Sequence, residues 1–267
     1  FLKDRAIRYR GFIFQADSEF DKLDKKMILV MPTSSGKTYV AFYLINKVLM
    51  DSGDHAKVLF IDWTAELCRQ QYDEARKVFN ENVDIRLITG EMPPSKRRRT
   101  CVWETDRPSI FFSTPETIFN DYENGLLDLK DIDLFVFDEV HRARGNSAYA
   151  RICKYCHANR MPFLGLTASV CEGSDIANEE IIQNLGARDK ILFYGEHDDE
   201  VKGYLFEKET KLVYAYIDGE MLRLDRMLRE EMKRLANLLI ARGLAADRTS
   251  SGARKEYLTE DEILKIE

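Results

Sequence analysis

Between Met27 and Phe193 short apolar runs alternate with longer amphipathic stretches. The runs Met27–Met31, Val58–Ile61, Ile85–Ile88, Ile110–Ser113, Leu134–Phe137, Phe163–Leu166 and Ile191–Phe193 have the length and β-rich composition of buried strands. The stretches Lys37–Met50, Ala65–Phe79, Ser147–Ala158 and Ile176–Leu185 carry apolar residues at three- and four-residue intervals, which predicts helices packed by one face. Strands alternating with helices predict an α/β fold, with right-handed crossovers and a mostly parallel sheet flanked by helices. The pattern changes after the acidic stretch that begins at Glu196. Residues 211–217 alternate like a strand, and a helix is expected from Asp218 to near Gly243, striped by Leu222, Met227, Leu228, Met232, Leu235, Leu238 and Leu239. In the polar tail, Thr259 with Glu262 has the form of a capping box opening one short helix. The expected divisions are 1–195 for the α/β unit, 196–217 for a connector and 218–267 for an incomplete helical segment.

The composition is that of a globular protein: 45% hydrophobic and 32% charged, with 14 Gly and 6 Pro in 267 residues, which excludes disorder and collagen-like repeats. No uncharged apolar run approaches the roughly 20 residues of a membrane span, and no leader of secretory type follows Phe1, so the chain is expected to be a cytoplasmic part of a longer product, or a nuclear one in a eukaryote. Lys and Arg number 40 against 46 Asp and Glu, a net charge of −6. That excludes a protein coated in positive charge and leaves room for a local basic groove. The five cysteines are an odd number in a chain that needs no staples, so free thiols are expected. Cys153-x-x-Cys156-His157 spells a haem-attachment pattern or half a zinc site, but with no second pair and with helical periodicity around it the expectation is two ordinary thiols.

Chemistry enters at Met31-Pro32-Thr33-Ser34-Ser35-Gly36-Lys37-Thr38, between an apolar strand and an amphipathic helix. Successive backbone N–H groups of such a turn converge where the helix N-terminus adds positive potential, which suits polyphosphate. Lys37 would reach the β- and γ-phosphates of ATP, and the Thr38 hydroxyl would hold Mg²⁺. About 100 residues on, the strand ending at Phe137 runs into Asp138-Glu139-Val140-His141. Acids at the carboxyl edge of a parallel sheet stand where such folds bind ligands. Asp138 is expected to hold Mg²⁺ and Glu139 to take the proton of an attacking water. Thr167-Ala168-Ser169 ends a further strand and by itself is a turn of small residues.

Together these segments resemble the first, RecA-like motor domain of superfamily 2 helicases. Met31–Thr38 is similar to motif I, Asp-Glu-Val-His to motif II and Thr-Ala-Ser to motif III. Ser113-Thr114-Pro115-Glu116-Thr117, Trp63-Thr64-Ala65-Glu66-Leu67 and Thr89-Gly90 fall where that superfamily has further motifs. Ser113–Asp121, Val136–Asn146 and Gly165–Ser169 most resemble the Hef, FANCM and Mph1 group, related to Dicer and RIG-I-like helicases. The resemblance implies ATP-dependent work on structured nucleic acid, DNA forks by preference and duplex RNA as the alternative. It implies adenine recognition by Gln15, phosphate binding by Pro32, Thr33, Ser34, Ser35, Gly36, Lys37 and Thr38, and coupling through His141, Thr167 and Ser169. It places nucleic-acid contacts at Thr64, Thr89, Gly90, Thr114 and Pro115. It further implies a second motor domain that supplies a transition-state arginine, and a helical insertion beginning near Asp218. The sequence departs from the family at Ser34, where Gly is usual, at Trp63, where Pro is usual, and at Ala65, where a basic residue is common. Lys96-Arg97-Arg98-Arg99 reads either as a phosphate-contacting loop or as a solvated charged turn. A phosphate loop with an acidic strand end is also compatible with a P-loop kinase or nucleotide switch, or with a sensor that ATP only gates.

Overall fold

A computed structural model describes residue 2 and residues 11–33, 35–168, 175–195, 198 and 219–241. Ser34, Ser169, Cys171, the expected strand at 211–217 and the expected helix at Thr259 lie outside the described residues. In chain order the elements are α1 (Gly11–Lys22), β1 (Lys26–Val30), α2 (Lys37–Ser52), β2 (Lys57–Ile61), α3 (Ala65–Val78), β3 (Asp84–Ile88), α4 (Pro94–Arg99), β4 (Ser109–Ser113), α5 (Pro115–Glu123), β5 (Leu134–Phe137), α6 (Ala148–Ala158), β6 (Phe163–Thr167), α7 (Asp175–Leu185), β7 (Ile191–Phe193) and α8 (Gly219–Ala241). The chain divides into two compact units, Phe1–Glu207 and Lys208–Glu267.

The first unit holds a seven-stranded sheet in the order β3-β4-β2-β5-β6-β1-β7, parallel throughout. The α/β architecture is as the strand–helix alternation predicts. Alternation along each strand sends side chains to opposite faces, and the core accordingly forms two layers. Leu29, Phe60, Phe112, Val136 and Leu164 pack with Ile13 of α1, Phe42 and Leu44 of α2 and Ala75 of α3. Ile28, Leu59, Phe111, Phe135 and Phe163 pack with Ile118 of α5, Ile152 and Cys156 of α6 and Ile181 of α7. Strands covered on both faces are near-continuous in apolar residues, which is why Ile110–Phe112 and Leu134–Phe137 show no polar alternation. Cys153 and Cys156 are buried in the second layer, and burial pushes both thiols well above their ordinary range.

Gly165, in the middle of β6, is a close-approach position. A Cβ there would stand 3.3 Å from both Ile28 Cγ1 and Val140 Cγ1, so the missing side chain makes room for the turn that follows β5. In the second unit α8 presents Met221, Leu224, Met227, Leu228 and Leu235 to solvent.

Candidate nucleotide site at the carboxyl rim of the sheet

The carboxyl ends of β1, β6, β5 and β2 stand side by side, so the loops after them share one rim. Val30 is in register with Thr167, and Phe137 with Gly165. The phosphate-loop strand and the acid-bearing strand are therefore two strand spacings apart, roughly 10 Å, with Thr167 between them.

The loop after β1 folds on itself before α2 begins. Ser35 Oγ donates to Pro32 O at 2.7 Å, and Gly36 takes up φ 98°, ψ 26°, a left-handed conformation that a side chain would oppose. No side chain caps α2 at Gly36, so the first-turn N–H groups of this helix face the loop. Lys37 Nζ donates to Met31 O at 3.3 Å. Burial lowers the Lys37 pKa, while the charges of Glu139 and Asp138 act to raise it, so the lysine and the acidic pair stand within electrostatic reach. Thr38 is half-buried in the first turn of α2, and Thr33 is exposed. On the other side of β1, Tyr194 N donates to Val30 O at 2.9 Å and the Tyr194 hydroxyl donates to Gln15 Oε1 at 3.1 Å. Gln15 of α1 is thus held beside the strand that leads into the loop.

After β5 the backbone turns sharply. Glu139 sits at φ 51°, ψ 49°, a left-handed conformation uncommon for a residue with a side chain. A single 3₁₀ turn, Val140–Arg142, follows. Two helices grip this loop: Tyr149 of α6 donates its hydroxyl to Asp138 O at 2.6 Å, and Asn184 of α7 donates to Ala143 O at 2.9 Å. Asp138 accepts from Glu139 N at 3.0 Å and from Gln71 Nε2 of α3 at 3.2 Å. Burial, then the Glu139 carboxylate, push the Asp138 carboxyl up to about 6. A carboxylate raised in this way is relieved by a neighbouring cation. His141 Nδ1 lies 3.1 Å from Thr167 Oγ1 and 3.1 Å from Glu139 Oε2, and burial lowers its pKa, which favours the neutral ring near neutral pH. The structure thus brings Lys37, Asp138, Glu139, His141 and Thr167 to one rim.

Asp62, which no sequence signal marked, follows β2 on the same rim. Ile61 pairs in register with Phe137, which sets Asp62 beside Asp138 on one face of the sheet. Asp62 is 1% exposed; Oδ1 accepts from Trp63 N at 2.7 Å, and Oδ2 has no hydrogen-bond partner among the described residues. Burial and the neighbouring Asp138 charge push it to about 7.

The expected nucleic-acid residues divide. Thr64 caps α3, its Oγ1 accepting from Leu67 N at 3.2 Å, and Thr114 Oγ1 lies 3.0 Å from Thr117 Oγ1. Gly90, Lys96, Arg98 and Arg99 are exposed. Lys96–Arg99 belongs to the short helix α4 rather than to a loop, because Pro94 opens a helical turn. Arg97 is corrected. It is 4% exposed and pairs with Asp121 through Nε and Nη2, both at 2.7 Å, while Trp103 Nε1 donates to the same carboxylate at 2.9 Å. With its guanidinium spent inside the fold, Arg97 has no donor for a phosphate. Thr89 and Pro115 are likewise buried, Pro115 as the first residue of α5, which removes their side chains from any external contact.

The acceptors and donors present fit a magnesium–polyphosphate group: a helix start with no side-chain cap, a lysine within electrostatic reach of two acids, a threonine hydroxyl and a carboxyl raised by burial and by its neighbour. Among the described residues no three His, Cys, Asp or Glu side chains are grouped to hold a metal alone. A site of one or two protein ligands completed by phosphate oxygens is the form magnesium prefers.

This fold and rim define a P-loop α/β domain of the RecA-like kind, the superfamily 2 motor type anticipated from the motifs. Residues 9–171 match the family described as "Type III restriction enzyme, res subunit" (ResIII), and the chain belongs to that family. It is 30% identical over 198 residues to a Schizosaccharomyces pombe protein named as a candidate ATP-dependent DNA helicase, fml2, covering 73% of this chain and 24% of that protein. It is 32% identical over 246 residues to a Methanocaldococcus jannaschii protein named as a candidate ATP-dependent RNA helicase, covering 89% and 29%. The crystal structure of the Pyrococcus furiosus Hef helicase domain superposes with a TM-score of 0.65 at 29% identity, covering 99% of this chain and 53% of that one. These likenesses uphold the Hef, FANCM and Mph1 grouping. The chain spans less than a third of the length of the curated relatives cited here.

Proposed function

We propose that this chain is the nucleotide-binding motor unit of an ATP-dependent helicase or translocase that works on structured nucleic acid, with branched DNA as its substrate. The observation that carries the reading is the shared rim. Lys37 and the acidic pair interact across the end of β6, and His141 reaches the Thr167 of that strand.

In this reading the N–H groups of the loop that follows Pro32 and of the first turn of α2 hold the phosphates, and Lys37 places its ammonium against the terminal oxygens. Thr38 and Asp138 would hold Mg²⁺, which supplies charge neutralisation at the phosphates when bound. Glu139 accepts the proton of the attacking water, its position fixed by the left-handed turn. His141, neutral and between Glu139 and Thr167, reports the state of the acid to β6. Gln15, held by Tyr194, would read the base. Lys96, Arg98 and Arg99 with Gly90, Thr64 and Thr114 form the contact edge for nucleic acid.

The name of the Methanocaldococcus relative supports duplex RNA as a second substrate reading, and one assay separates the two. ATP hydrolysis by the full-length protein is measured with forked DNA, with duplex RNA and with neither. The expected result is stimulation by forked DNA, lost by about 10²-fold or more in Lys37→Ala. Stimulation by duplex RNA alone moves the reading to that substrate, and indifference to both overturns it. The 267-residue chain by itself is expected to turn over slowly, because the arginine that the family resemblance assigns to a second motor domain is worth ~10³ to 10⁵ in rate.

A further inference from the structure

Trp63 belongs to neither the nucleotide set nor the contact edge, yet it touches the acidic loop through Arg142 and touches two residues that flank that loop, Asp62 and Tyr149. Its backbone N–H donates to Asp62 Oδ1 at 2.7 Å. The Arg142 guanidinium carbon lies 5.4 Å from the centre of its ring. The ring stands 6.2 Å from that of Tyr149, whose hydroxyl holds Asp138 O at 2.6 Å. Arg142 directly follows His141 in the 3₁₀ turn that Glu139 opens. The guanidinium that lies over the indole is thus borne by the same 3₁₀ turn as His141.

The other flank of Trp63 is Thr64, whose hydroxyl caps α3 at the rim where nucleic-acid contact is proposed. The indole is half-buried and lies against the layer that contains Ile61 and Tyr149. From these contacts we infer that Trp63, with Arg142, is a positioning pair that links the state of the acidic loop to the start of α3, and so couples nucleotide to nucleic acid. It does so alongside the His141–Thr167 contact and by a separate route. The inference rests on the motor reading above and adds to it a residue at which this chain departs from the family's usual proline.

The chain has two tryptophans, which gives a direct readout. Trp103 is buried and bonded to Asp121, in the layer beneath α4. A nucleotide-dependent change in emission is thus expected from Trp63. Titration with Mg·ADP and with a non-hydrolysable ATP analogue should shift the tryptophan emission of the chain, and Trp63→Phe should abolish the shift while a fluorescent nucleotide still binds. Forked DNA should change nucleotide affinity. Trp63→Ala and the exposed substitution Arg142→Ala should each shrink that change by about two- to five-fold, the size expected of one exposed cation–π contact. The double variant should lose no more than either single one, and Trp63→Phe should keep part of the effect. A change in nucleotide affinity on adding forked DNA that is as large in Trp63→Ala and Arg142→Ala as in the parent chain, with both ligands still bound, overturns the inference alone. A parent chain that binds nucleotide without any response to nucleic acid overturns the motor reading together with it.

Discussion

At the scale of single residues the rim carries more acid than its proposed chemistry needs. Asp138 and Asp62 are buried neighbours with raised carboxyls, at about 6 and about 7. Because folding lifts Asp62 above the ordinary 3.8, the folded chain binds more protons than the unfolded one between those values, and stability falls as pH rises through that window. Asp62→Asn removes the charge and keeps the shape. The expected outcome, without nucleotide, is a chain more stable than the parent at pH 8, on the order of a few kcal/mol at about 1.4 kcal/mol per pH unit and seen as a higher melting temperature, with the difference fading toward pH 4. Thermal melts at the two pH values check it; equal melting at pH 8 would show that the carboxylate is compensated. The phosphate loop and the Asp138–His141 segment were legible because each is a dense local signature at a strand end. Asp62 was not, since a single acid after a strand has no signature and acquires its neighbour only through the pairing of β2 with β5.

At the scale of elements, α4 shows how a charge run can mislead. Four successive basic residues read as one patch, yet a helical turn sends successive side chains in different directions. Arg97 is aimed inward at Asp121 and Trp103, while Lys96, Arg98 and Arg99 remain outside. Removing one partner of a buried pair strands the other charge, at a cost of about 3–5 kcal/mol. Arg97→Met is therefore expected to destabilise the chain in urea by that order, and Arg97→Met combined with Asp121→Leu to recover part of the loss. A double variant less stable than the single one would contradict the stranded-charge account. The helices α2, α3, α6 and α7 were visible from apolar spacing, whereas α1, α4 and α5 were not. Pro94 and Pro115 open the last two, and a proline at a first helical position looks like a loop until the turn after it is known.

At the scale of the whole molecule, a net charge of −6 coexists with a local edge of three exposed cations on α4. Binding to nucleic acid is then expected to be sequence-independent and salt-sensitive, because each cation that meets a phosphate releases counterions. Replacing Lys96, Arg98 and Arg99 together by alanine should weaken binding to all sequences alike and lower the slope of log K against log salt by up to ~0.9 per lost phosphate contact on duplex DNA. An unchanged slope would place the contact elsewhere. Strand order was the part of the fold least open to sequence reading: β1 pairs with β6 and β7 rather than with β2, and no local pattern encodes that.

That same order bears on biosynthesis. The strand leading into the phosphate loop, Lys26–Val30, finds its partners only in Phe163–Thr167 and Ile191–Phe193. A ribosome therefore extrudes most of the first unit before this strand can be enclosed, and until then its two naked edges invite pairing with other nascent chains. A chaperone that holds unfolded chains is therefore expected to bind this one chiefly during that interval, and a nascent-chain pull-down before and after Phe193 has emerged would check it.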